Sequence, residues 1–438
     1  MTFNWTLGTL AAALAAVSLS PTSYAVALYE TADTHVSAEG LAAYGMFNSR
    51  QSYNGLEGGR HWREAYIKYG VKADTRLGDV GTAYSGFAMV SSGTWGDGDA
   101  GGFTDGTERT TKIEDAYLGW RSGDSFPVLG PDGLDVSFGR QGFKLGQGFL
   151  ISDDGPNLGK NGGNRGYDRG GAYYLGARHA FDRTFIARVG GAEGWHGTAA
   201  WLKSDNHAQA NTELGIAALA YTRKEGTLEA TWVHGMSVDD QWASGFLKRR
   251  DGMNIYSLRA QGDAGITDAN FAAEYATQQT HGDQESAWYL QAGYQFSQLP
   301  WTPSVTARYT RYSQNWDLLF TGFSDGYGTW FQGEVAANYA GPFNTNSSIT
   351  HLGLKANPVE NVTLGALFFD FRTVGDRQRV NLDARELDLY VEWAVSPHVI
   401  VTPLLGLYRP DHAAGQGGSQ TSGSGTNVYS QLIVAVPF

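Results

Sequence analysis

The chain contains no cysteine. A disulfide framework and a thiolate metal site or nucleophile are therefore excluded, and an exported chain of this kind must take its stability from hydrogen-bonded sheet. Residues 1–25 carry no charged side chain, and after them no run of 18 apolar residues occurs, which excludes a helical membrane span. No phosphate-binding loop is present, and the Gly-x-Gly strings lie in loops with no following helix. The ten histidines include no H-x-x-x-H pair, so neither a metal site nor a cofactor site is expected. The net charge of -12 argues against nucleic acid as a partner. We expect a protein that is not an enzyme.

What is present is alternation. In 287–296, Trp288, Leu290, Ala292, Tyr294 and Phe296 share one face and Tyr289, Gln291, Gly293 and Gln295 the other. In 386–395, Leu387, Leu389, Val391, Trp393 and Val395 oppose Glu386, Asp388, Tyr390 and Glu392. Segments 64–71, 255–261 and 304–310 repeat the rule. These segments run about 10–13 residues, longer than the about 5–6 of a soluble sandwich. A period of two over that length, with 13 % aromatics and a mean hydropathy of only -0.32, predicts strands with one lipid face and one polar face.

Both ends agree with that reading. Residues 6–19 form a short apolar stretch, and Ser23-Tyr24-Ala25 matches a small-x-Ala cleavage site, so 1–25 reads as a signal peptide and 26–438 as the barrel. The chain ends on Phe438, with Leu432, Val434 and Val436 on the same face. A C-terminal aromatic on a closing strand is a recognition signal for barrel-assembly machinery, and the strand is expected to pair with the first one near 34–47. Pro437 cannot donate to that ladder.

Connector length predicts the topology. Short connectors fall near 75–78, 122–132, 180–183, 224–226, 263–266, 297–302, 357–361 and 395–398, and long polar stretches lie between them. Eight short turns imply an all-β, transmembrane, antiparallel up-and-down barrel of 18 strands. Its turns would be periplasmic, its loops extracellular and both termini periplasmic, in the outer membrane. Segments 195–204 and 328–340 also look strand-like; making both membrane strands would give 20 and break the short/long alternation, so they are read as strand extensions or β-structured pieces of loops 190–211 and 314–345. Membrane lipid and lipopolysaccharide would surround a monomer.

If the apolar face is lipid, Glu64, Lys68, Asp115, Arg121, Arg178, Arg188, Arg259, Glu274, Arg308, Lys355, Glu386, Asp388 and Glu392 face the lumen, because Arg or Lys facing lipid near the midplane costs about 2–4 kcal/mol. Arg140 shares parity with Leu134, Val136 and Phe138, so it can point inward only if the chain bulges at Gly139 or Gly142. Such charges, mixed in sign, would set which ions or sugars pass. Tyr66, Tyr289 and Tyr390 are inward candidates for stacking on sugar rings. The acidic loop 93–108 lacks calcium-loop spacing and reads as solvated.

The strings GFSDGYGTWFQGEV at 322–335, GRQ at 139–141, GAYYLGARHAFDRT at 171–184 and DLYVEWAVSPH at 388–398 resemble the alginate-export porins of Gram-negative outer membranes. The resemblance implies an 18-stranded monomeric barrel that passes an anionic uronate polymer through an arginine-rich constriction, which Arg140 and Arg178 would face. The expected function is a passive porin for saccharide or anionic solutes. The alternatives are a general diffusion porin and a structural or adhesive barrel without an open pore.

Overall fold

A computed structural model of the chain describes residues 26–161, 165–280, 282–323, 332–375 and 380–438. The signal-peptide expectation for 1–25 lies outside them. A short strand β1 (Val26–Glu30) precedes β2 (Thr34–Ser49), β3 (Arg60–Arg76), β4 (Thr82–Gly96), β5 (Arg109–Arg121) and β6 (Leu134–Gln141). Then follow β7 (Phe181–Val189), β8 (Gly194–Lys203), β9 (Glu213–Arg223), β10 (Gly226–Ser237), β11 (Asn254–Gly262) and β12 (Ala269–Thr280). The rest are β13 (Asp283–Gln295), β14 (Ser304–Tyr312), β15 (Ser347–Val359), β16 (Val362–Thr373), β17 (Ala384–Ser396), β18 (Val399–Pro410) and β19 (Asn427–Pro437).

Each strand from β2 to β19 pairs antiparallel with its sequence neighbours, and β19 pairs with β2 from Tyr429 opposite Ser49 to Pro437 opposite Leu41. The result is a closed 18-strand antiparallel barrel, as the alternation predicts. The end of the seam is completed by a reciprocal pair: Gly40 N donates to Phe438 O at 2.7 Å and Phe438 N donates to Gly40 O at 2.9 Å. The N–H that Pro437 lacks is therefore followed at once by a full pair. Beyond the seam, β1 continues along β2, with Val26 opposite Ala38.

Side chains of the predicted lipid face point out. Leu290 is 58 % exposed and Leu258 55 %, which is how apolar residues sit on a wall meant for lipid. Thr34 at the start of β2 and Pro437 at the end of β19 lie at the rim of short turns, and the described parts of the long loops 50–59, 97–108, 142–180, 204–212, 238–253, 313–346, 374–383 and 411–426 share the other rim. At that rim β12 ends at Thr280 and β13 begins at Asp283.

The count of 18 stands, but its allocation near the middle of the chain is corrected. The connector placed at 180–183 is the start of β7; the turn is at 190–193, and 195–204 is not a loop piece but the membrane strand β8. The residues 168–180 that would have made the missing strand belong to a loop inside the barrel. The inner face explains the misreading: Ile186 on β7, Ala200 and Leu202 on β8, and Leu214 and Ile216 on β9 are inward and buried. These strands are apolar on both faces, because the core of this protein lies inside the barrel, between wall and loops. Of segment 328–340, residues 328–331 lie outside the described residues, and Ala336–Ala340 is a single π-helical turn, not strand.

Two bulges re-aim charged residues. Between Ile113 and Asp115 the β5 register against β4 slips by one residue, which lets Glu114 and Asp115 both avoid lipid. On β6, Gly139 takes φ 120° and the register against β7 shifts between Gly139 and Gln141, which turns Arg140 inward. A Cβ on residue 139 would run into the Ala116 carbonyl oxygen. Gly139→Ala is therefore expected to destabilise the barrel by about 1–3 kcal/mol, the usual size of a forced backbone conformation. Urea unfolding of the protein refolded in lipid bilayers measures this, and an unshifted midpoint would contradict the bulge.

Candidate functional site: the loop-lined interior

Inward positions follow from strand parity. Glu64, Lys68, Asp115, Arg121, Arg188, Arg259, Glu274, Arg308, Lys355, Glu386, Asp388 and Glu392 all lie on the inner faces of their strands. Arg178 is also inside, but on loop 142–180 and not on a strand. The structure thus brings these groups into one enclosure, in which Arg178, Arg259 and Arg308 are buried along with the acids. Lys68, Arg121, Arg188 and Lys355 keep partial exposure, whereas Glu64, Asp115, Glu274, Glu386, Asp388 and Glu392 are all buried.

Burial of the wall carboxylates has a cause. Loops entering the barrel carry backbone N–H groups that no strand pairs, and such donors must find acceptors away from water. Glu386 accepts from Val335 N at 2.6 Å and Ala336 N at 2.9 Å. Glu64 accepts from Leu175 N at 3.0 Å and from Trp62 Nε1 at 3.1 Å. Glu114 accepts from His179 N at 2.6 Å and Ala180 N at 2.8 Å. The 97–108 loop is folded in by the same device and is not solvated. Glu108 takes the N–H groups of Asp105 and Lys160 at 2.7 and 3.0 Å, and Asp99 binds back to Gly101 and Thr104 of its own loop. The inner acids therefore act as loop anchors, which strand parity alone does not reveal.

The two long loops also bind each other. Ile151 and Phe320 form a parallel bridge, Ser152 N donates to Phe320 O at 2.8 Å and Gly322 N to Gly148 O at 3.0 Å. Phe149 contacts Tyr289, Tyr312 and Phe323 with ring centroids 5.1, 5.7 and 5.1 Å apart. Tyr289 lies fully buried beneath these rings, so it cannot offer a face to a sugar. Loop 313–346 is fixed on its other flank by Arg250, whose guanidinium takes both Asp317 oxygens at 2.7 and 2.8 Å.

Basic side chains gather on two walls. On one, Arg259 pairs with Glu229 at 3.1 Å, and Arg308 bonds Gln291 at 3.3 Å with its guanidinium 4.5 Å from the Phe323 ring centroid. On the other, Lys68 pairs with Asp115 at 2.6 Å, and Arg140, Arg169 and Arg178 converge on Asp205 at 2.9, 2.7 and 3.2 Å. Burial acts to raise the Asp205 carboxyl, but Arg169, Arg140 and Arg178 outweigh it and hold the group well below the ordinary carboxylate range. Its neighbour Asp154 is fully enclosed, and burial pushes it up to about 6 despite Arg169. Among the described residues no group of His, Asp and Glu could hold a metal ion.

Sequence parity missed Glu114, Asp154, Arg169, Asp205, Arg250, Asp317 and Glu334. For Glu114 a signal existed: two acids in succession on a membrane strand cannot both face inward unless the strand bulges. The others sit on loops, where no period reports direction.

No family model matches the chain, and no curated protein matches it. Among solved structures it is similar to OccAB4 of Acinetobacter baumannii, with a TM-score of 0.58 and 10 % identity over 93 % of this chain and 98 % of that one. OccK8 (OprE) of Pseudomonas aeruginosa is similar at 0.57 and 12 %, covering 92 % and 98 %. OccK7 (OpdD) of the same organism scores 0.56 at 13 %, covering 93 % and 99 %. The barrel matches OprD-like porin structures. At these identities the match is one of fold, and it concerns the outer-membrane porin architecture, not the alginate-export type in particular.

The seating of loop 313–346 is expected to depend on pH. Burial, offset in part by the Tyr174 hydroxyl and reinforced by Glu386, pushes the Glu334 carboxyl up to about 8 from an ordinary 4.5. Its neutral form is the one the fold favours, so its contribution is complete below about 4.5 and is lost as the pH rises through about 8. Amide exchange across 332–340, corrected for intrinsic rates, should lose protection above that pH. Glu334→Gln should flatten the dependence, and constant protection in the native protein would contradict it.

Proposed function

We propose that the chain is a passive outer-membrane channel for small anionic solutes, with carboxylates of the uronate type as the favoured class. It would stand with its short turns and both termini on the periplasmic side and would need neither cofactor nor metal. One observation carries this reading. Of the inner strand charges expected from parity, Glu64, Asp115, Glu274, Glu386, Asp388 and Glu392 are all buried, as are Arg259 and Arg308, while Lys68, Arg121, Arg188 and Lys355 keep partial exposure. Several acids that keep partial exposure are held by a donor: Asp135 by Tyr84, Glu229 by Arg259, Glu39 by Lys72, and Asp182 and Asp205 by Arg140. A narrow passage lined this way attracts anions, because low-dielectric walls focus the field of fixed charges.

The interlocked loops argue for solutes of small size and against passage of a uronate polymer. They also support a second reading, a structural barrel without an open pore, since Phe149, Tyr289, Tyr312 and Phe323 close part of the interior with apolar rings. Planar-bilayer recording of the refolded protein separates the two. We expect single-channel steps and an anion-directed reversal potential in a salt gradient. Arg140→Glu with Arg308→Glu should move that potential toward cations. Absence of steps would favour the structural barrel, and cation preference in the native protein would overturn the anion path.

A further inference from the structure

Among the ion pairs, the cluster around Asp205 is unlike an ordinary structural pair. A single carboxylate, on the first turn after β8, receives three guanidiniums from two segments: Arg140 on β6, and Arg169 and Arg178 on loop 142–180. Three cations brought this close repel one another, and the arrangement holds only while an anion stands among them. The other acids in reach are already engaged. Asp154 is bound by the Ser204 hydroxyl at 2.7 Å as well as by Arg169 at 3.5 Å. Glu114 is held by two backbone N–H groups and lies 3.6 Å from Arg178. Asp182 reaches only Arg140 within this cluster, at 3.1 Å.

Exposure separates the anion from its hosts. The side chains of Arg140, Arg169 and Arg178 are 10 %, 4 % and 9 % exposed, and that of Asp205 is 33 %. Arg140 and Asp182 lie on inner faces, and the Asp205 carboxylate that joins Arg140 stays one-third exposed. The Nε atoms of Arg140 and Arg169 are buried with no hydrogen-bond partner; one short carboxylate does not satisfy the set. The turn carrying Asp205 does not depend on that carboxylate. Ser204 N donates to Thr212 O at 3.0 Å, and Asn206 caps the following turn through Ala208 N at 3.1 Å and reaches Pro156 O at 3.0 Å.

We propose that Arg140, Arg169 and Arg178 form an anion site in the channel wall, and that Asp205 is its built-in occupant, which a solute carboxylate displaces in passing. A tethered competitor of this kind keeps the arginines oriented when no solute is present. It also prevents a permeating anion from being trapped, since conduction requires a site strong enough to enter and weak enough to leave. The assignment rests on the channel reading above and names the position that would set its affinity.

The test is Asp205→Asn, which removes the charge and keeps the shape, recorded beside the native protein in planar bilayers with sodium glucuronate as the probe. Native channels should show anion preference and brief or unresolved glucuronate blocks. Asp205→Asn should raise the anion-to-cation permeability ratio several-fold and lengthen the blocks to resolved events. A variant with native reversal potential and native block times overturns the proposal and reduces Asp205 to a structural ion pair. Native protein without conductance steps would instead defeat the channel reading itself. If Asp205→Asn does not insert, Arg169→Gln is read: blocks by glucuronate should shorten as one host is lost, and unchanged blocks overturn the proposal.

Discussion

Everything in this molecule depends on the seam between β19 and β2. A sheet of 18 strands that failed to close would leave two rows of unpaired N–H and C=O groups facing hydrocarbon, each costing several kcal/mol. The register from Tyr429 opposite Ser49 to Pro437 opposite Leu41 removes both rows together. The reciprocal Gly40–Phe438 pair carries the ladder to the last residue of the chain. Closure then fixes the parity of every strand, and with it which side chains meet lipid and which meet the interior.

The interior poses the opposite problem. Loops that enter the barrel bring peptide groups without partners, and the wall supplies acceptors in the form of Glu64, Glu114 and Glu386. A carboxylate oxygen that accepts backbone N–H groups compensates for the loss of water on both sides of the bond. The consequence is electrostatic as well as mechanical. Glu64, Glu114 and Glu386 are buried in this way, while Lys68, Arg121, Arg188 and Lys355 keep partial exposure. Apolar inner residues such as Leu202, Ile216 and Ile255 close the remaining gaps against the loops.

Architecture was legible in the sequence because a lipid-facing strand must alternate, and because turns and loops differ in length at the two rims. The lipid faces of β13 and β17 were plain for that reason. Legibility failed at β7 to β9, where loop packing makes the inner face apolar and the period of two fades. The string at 171–184 contains strand-like runs yet lies largely in a loop. Its Arg178 reaches the interior by a route that parity cannot describe. For Arg140 the sequence posed the right question, whether Gly139 bulges, but only backbone geometry could answer it.

The sequence by itself determined compartment-scale chemistry: a chain without thiols or apolar helices, alternating over about 10–13 residues, can satisfy its backbone in lipid only by closing a barrel. Tertiary structure decided which interior charges are buried and which stay partly exposed. That property depends on contacts between residues distant in the chain, such as Glu386 with Val335 or Asp205 with Arg140, Arg169 and Arg178. No local period encodes such contacts, because they arise only when a loop of one segment is laid against the wall of another.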